Sequence, residues 1–142
     1  VQTTALIGSI LFGILADKIG LKKTLMISLG IWLVTVFVAY ISVEKLTFYI
    51  VGTLAGFALG SSQSTSRSLM SKLTPYEKRT EFFGFYSFFG KSSAILGPMI
   101  FGLVSYGTGS QRIAILTIAF FFIVGMLILT QVKEPPAVEK PT

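Results

Sequence analysis

Apolar residues fall in five runs, about 2–16, 24–42, 46–71, 80–106 and 112–132, separated by short turns carrying Lys, Arg, Glu, Gly and Pro. A helix needs about 20 apolar residues to cross ~30 Å of hydrocarbon, and most of these runs have that length. Strands of a barrel would alternate polar and apolar positions, which Ile113 to Val132 does not do. Lipid leaves open backbone no other partner, so the runs predict helices. The fold class expected is therefore all-α and membrane-embedded, with about five transmembrane helices. Thr3 to Ala16 is short for a crossing, which suggests that the sequence starts within a helix. Lys18, Lys22 and Lys23 follow this run instead of preceding it, the reverse of a secretory signal.

Composition agrees with lipid as the main solvent: the 142 residues are 52% hydrophobic and 13% charged, and the mean hydropathy is +0.77. A net charge of +6 in a soluble protein would point to nucleic acid. Here the basic residues cluster between apolar runs, so nucleic acid is not an expected partner and the bilayer is. Lys18, Lys22, Lys23, Lys72, Lys78, Arg79, Lys133 and Lys140 lie in loops on one side, against Lys45 and Arg112 on the other. The excess predicts a cytoplasmic face there. Residues 1–132 then form a multi-pass membrane unit and 133–142, with Pro135, Pro136 and Pro141, a polar cytoplasmic tail that reads as a chain end. With neither Cys nor His present, disulfides, thiolate or imidazole metal sites and His-activated nucleophiles are excluded from this stretch. No metal, no cofactor and no enzyme activity are expected.

The runs differ in kind. The second and fifth carry no charge inside and read as outer, lipid-facing helices. The third has Gly52, Gly56, Gly60, Ser64 and Ser68 at every fourth position, a ridge on which another backbone can lie closely. Beside the ridge runs a polar stretch from Ser61 to Ser68, where Gln63 and Arg67 share a helix face. In the fourth, Lys91 lies ten residues beyond Glu81, about 15 Å along the axis at ~1.5 Å per residue. That is near the bilayer midplane, with Ser87 on the same face, Tyr86 adjacent, and Gly97-Pro98 further on as a place to kink. An ionisable residue at such depth costs at least ~2.5 kcal/mol, so Lys91 and Arg67 line a solute pathway or pair with carboxylates elsewhere. Arg67 also has the length to snorkel to the surface. Glu81 suits the positive start of its helix, and as an alternative it serves as a gate by pairing with Arg67.

The turn after the first run contains Gly13, Asp17, Lys18, Gly20, Lys22 and Lys23. Locally, Gly20 permits a tight reversal, the lysines hold the turn outside the hydrocarbon, and Asp17 at a negative helix end needs a partner. This pattern resembles the signature loop of the major facilitator superfamily, departing from it at Leu21, where a basic residue is common. The resemblance implies helices eight to twelve of twelve, part of the C-terminal six-helix bundle. It also implies that Asp17 latches one conformation against the other half of the transporter. Ser66-Arg67-Ser68-Leu69, Glu81-Phe82-Phe83-Gly84-Phe85-Tyr86 and Gly97-Pro98 resemble the vacuole-effluxer-like group of that superfamily, which includes fungal autophagy-linked exporters of amino acids.

These readings predict one part of an alternating-access secondary transporter for a small solute, amino-acid efflux being the implied activity. Lys91, Arg67, Gln63, Ser87 and Tyr86 would meet the solute, and preceding helices of a longer protein would complete the passage. A bacterial inner membrane, or a vacuolar one in a fungus, is the expected location. The alternative is a non-transporting scaffold or receptor with the same fold.

Overall fold

A computed structural model describes residues 1–42 and 44–134; the tail from Pro135 to Thr142, with Lys140, lies outside the described residues. Five α-helices make up the described chain: α1 (Gln2–Ile19), α2 (Leu21–Ile41), α3 (Lys45–Leu73), α4 (Arg79–Thr108) and α5 (Gln111–Gln131). A single 3-10 turn, Tyr76–Lys78, leads into α4. No strand occurs among the described residues. Four helices are long and apolar enough to cross a membrane, α4 being counted with its 3-10 turn. The exception is α3, diluted by its serine-rich half.

Charged residues extend the helices beyond the apolar runs. α1 continues through Asp17 and Lys18, and α2 starts at Leu21, three residues before the expected 24, so Lys22 and Lys23 lie in its first turn and not in a loop. Hydropathy marks where hydrocarbon ends, whereas helical hydrogen bonding continues until the backbone turns. It turns at Gly20, with φ 93° and ψ 153°, a region that a side chain disfavours.

α1 packs most extensively on α3, α2 lies between α3 and α5, and α4 touches mainly α5. α1 and α3 run parallel along the glycine ridge. A methyl group placed on Gly60 would meet the Ala5 carbonyl, and one on Gly56 would meet Thr4 Oγ1 and the backbone of Val1. Gly8 lies equally close to the Phe57 carbonyl, whereas Gly52 only grazes Val1 at 3.9 Å. The α2–α3 seam is polar: Ser28 Oγ and Ser61 Oγ lie 2.7 Å apart, both fully buried. α2 and α5 run antiparallel, joined by Trp32 stacked on Phe122 at 5.2 Å between ring centroids.

α2 therefore has one packed and one exposed face. It buries Thr24, Ser28, Thr35 and Val36 and keeps Ile27, Val34, Phe37 and Ile41 on an exposed stripe. α4 is the opposite case, with no buried residue along its length.

Candidate functional site

At the Gly20 end of the bundle, one carboxylate joins three helices. Glu134, three residues past the end of α5, accepts the Leu21 N–H through Oε1 at 3.0 Å and the Lys22 N–H through Oε2 at 2.9 Å. Lys72 Nζ, in the last turn of α3, donates to Oε1 at 2.9 Å. Leu21 and Lys22 open α2, whose first N–H groups have no helical partner and carry the positive end of the helix dipole. α2 has no capping side chain of its own and no acid in its first turn, so Glu134 supplies the cap from the far end of the chain. Partial burial works to raise the Glu134 carboxyl pKa. Lys72 and the two N–H groups outweigh this and hold it below the ordinary value of 4.5. Lys22 Nζ adds a 2.7 Å bond to the Thr130 carbonyl of α5.

Beside this knot a cleft of about 680 Å³ opens between α1 and α3, lined among others by Gly13, Asp17, Lys18, Ser64, Ser68 and Glu134. Thr65 also reaches it, 2% exposed, with a hydroxyl that has no hydrogen-bond partner. The signature-loop residues are thus gathered at one end of the bundle. Gly20 makes the reversal, Asp17 faces the cleft, and Lys22 is tied to α5 while Lys23 stays exposed.

Deeper in the bundle the candidates divide. Tyr86 hydroxyl and Ser66 Oγ lie 2.8 Å apart, linking α4 to α3 next to Gln63 and Arg67 in sequence. Gln63 and Ser66 line a shallow groove of about 370 Å³ against Leu25 and Leu29 of α2 and Ile128 of α5. Arg67, Glu81, Ser87 and Lys91 are exposed. Among the described residues the one ion pair is Lys72–Glu134, so Glu81 and Arg67 are not joined in this conformation. Gly97 has open space around it. α4 runs unbroken through Pro98, and both residues border an apolar recess of about 820 Å³ facing α5.

A family model described as vacuole effluxer Atg22 like matches residues 1–139. The chain belongs to this family. Bacillus subtilis carries a relative named as an uncharacterized MFS-type transporter, YxiO, which is 34% identical over 133 residues, 94% of this chain and 31% of that protein. Autophagy-related protein 22 of Kluyveromyces lactis is 38% identical over 83 residues, 58% of this chain and 17% of that protein. The Saccharomyces cerevisiae protein of the same name is 34% identical over 86 residues, 61% of this chain and 16% of that protein. The chain spans about a third or less of the curated relatives it matches, and no solved structure matches it. It is a segment of an integral membrane transporter family.

For this Atg22-like segment, sequence reasoning overlooked the two residues that do most to tie its helices together. Glu134 was assigned to a polar tail, although an uncapped α2 start, with no Asp, Glu, Ser or Thr among Gly20 to Lys23, signals that an anion must come from elsewhere. Ser28 lies in a run that reads as lipid-facing. Its spacing from Thr24 and Thr35 marks the face turned to α3 and is the signal that could have identified it.

Proposed function

We propose that the full-length protein is an alternating-access carrier that exports small amino acids or similar carboxylate-bearing solutes, and that α1, α3 and α4 of this segment form one wall of its passage. The observation that carries the reading is Lys91, an exposed cation midway along a 30-residue helix with no fully buried residue in the segment. A cation at that depth is costly against lipid, so its surroundings in the whole carrier are water or protein. Lys91 and Arg67 offer positive charge to a solute carboxylate, and Gln63, Ser87 and Tyr86 offer hydrogen bonds. The description of the matching family, vacuole effluxer Atg22 like, supports efflux as the activity. The basic excess in the loops after α1, α3 and α5 supports a cytoplasmic location for those ends.

In the cycle, one half would rock against the other about the midplane. Asp17 would latch the Gly20 end in one conformation, and Glu81 would pair with Arg67 when that side closes. The test is efflux of a labelled amino-acid mixture from vesicles containing the full-length protein, with Lys91→Ala at matched protein level. Efflux by the wild type and its loss in the variant is the expected result. No efflux of any metabolite tried, from a folded and correctly inserted wild type, would instead favour a scaffold or receptor.

A further inference from the structure

The outer side of the Gly20 end carries a second depression. It measures about 630 Å³ and is lined by Ile19 at the end of α1, by Lys22, Lys23, Met26 and Ile27 in the first two turns of α2, and by Thr130 of α5. Its charged lining is cationic throughout, because Asp17 and Glu134 both line the separate cleft between α1 and α3. The Lys22 ammonium is held at the rim by the Thr130 carbonyl, 2.7 Å away, which uses one of its three donors. Lys23 is exposed and makes no hydrogen bond or ion pair among the described residues.

Below the lysines the surface changes character without interruption. Lys23 heads a stripe on one face of α2 that continues through Ile27, Val34, Phe37 and Ile41, exposed by 44%, 55%, 62% and 55%. From Lys23 to Phe37 is about 21 Å along the axis at ~1.5 Å per residue. That exceeds the roughly 15 Å that one leaflet contributes to the hydrocarbon. Two cations at the edge of the hydrocarbon above a leaflet-deep apolar track match an amphipathic anion. A zwitterionic lipid would bring its own ammonium against Lys22 and Lys23, and a soluble phosphate would leave the track unused.

We infer that the depression formed by Lys22, Lys23, Met26 and Ile27 binds the headgroup of an acidic phospholipid whose acyl chain follows the exposed stripe of α2. The site shares no lining residue with the Asp17 cleft, so a lipid bound there steadies the start of α2 without occupying that cleft. Each lysine near a lipid headgroup is worth about fivefold in binding.

The experiment uses purified full-length protein in mixed micelles with equal phosphatidylglycerol and phosphatidylcholine, and native mass spectrometry to count the lipid retained. Wild type should retain phosphatidylglycerol preferentially. Lys23→Gln should lower this retention about fivefold, and the Lys22→Gln/Lys23→Gln pair about 25-fold. Lys23→Arg should keep it, as should Lys45→Gln at the other end of the bundle, and millimolar glycerol phosphate should not displace the lipid. Equal retention of the two lipids by wild type would overturn the proposal, as would undiminished retention by a correctly folded double variant. Displacement by glycerol phosphate would also overturn it, leaving a plain anion site. Thermal unfolding in phosphatidylcholine alone reports whether each variant is folded, and if the glutamine variants are not, loss of preference in Lys23→Arg decides against the proposal.

Discussion

Lys72 Nζ and Glu134 Oε1 lie 2.9 Å apart, fastening the last turn of α3 to the residues that follow α5. The same carboxylate receives the first two N–H groups of α2, so the contact is both an ion pair and a helix cap. These two roles can be separated. Glu134→Ala should destabilise the full-length protein by about 1 kcal/mol, the usual cost of losing a cap. Exchanging the charges with Lys72→Glu/Glu134→Lys restores the ion pair but turns an ammonium toward the positive end of α2, and should remain destabilised. Thermal unfolding in detergent measures this, and full recovery in the exchanged variant would show that the cap is unimportant.

The same residue gives a pH dependence of defined sign. Its carboxyl pKa is lowered in the folded protein, so the stability it contributes is present above the unfolded value near 4.5 and disappears as pH falls through the lower folded value. The difference in melting temperature between wild type and Glu134→Gln should therefore be largest near neutrality and shrink in acid. A difference independent of pH would mean that Glu134 is not acting as a carboxylate.

The α1–α3 seam admits little added volume. Gly60→Val places side-chain atoms on the Ala5 carbonyl, and a backbone cannot give way as a flexible side chain does. The loss should reach or exceed the ~1–3 kcal/mol of ordinary overpacking. Gly30→Ala, where an added methyl meets nothing in this segment, should be neutral or stabilising by up to ~1 kcal/mol from helix propensity. The two yields of folded protein after detergent extraction provide the comparison.

Ser28 and Ser61 form a buried pair that should be non-additive. Each hydroxyl also reaches the Ala58 carbonyl, Ser61 at 3.0 Å and Ser28 at 3.4 Å, so either alanine substitution removes the shared bond at a cost of about 1 kcal/mol and removing both costs little more. The double variant Ser28→Ala/Ser61→Ala should thus lie above the sum of the singles in an unfolding series. Strict additivity would mean that the 2.7 Å contact contributes nothing.

The fold was legible where one physical rule acts alone. Apolar run length is set by bilayer thickness, so five helices could be read directly, and the Gly56–Gly60 spacing announced a close backbone approach because few other functions need small residues four apart. Helix ends were read short by up to three residues, since Asp17 and Lys22 leave the hydrocarbon without leaving the helix. The Glu134 knot was illegible for a different reason: its partners lie 62 and 113 residues away, and an acid in a proline-rich tail has no periodicity to betray it. The depth of Lys91 follows from its spacing beyond Glu81, and no described residue accepts its charge.

The central claim is that Lys91 faces a water-filled passage. The most direct measurement is the rate at which an impermeant thiol reagent modifies Lys91→Cys in the full-length protein in vesicles, after replacement of every other cysteine, with and without an amino-acid mixture. The account predicts rapid modification that the mixture slows. A cysteine at position 91 that stays unmodified in a folded, inserted protein, while one at an exposed loop position reacts, would contradict it.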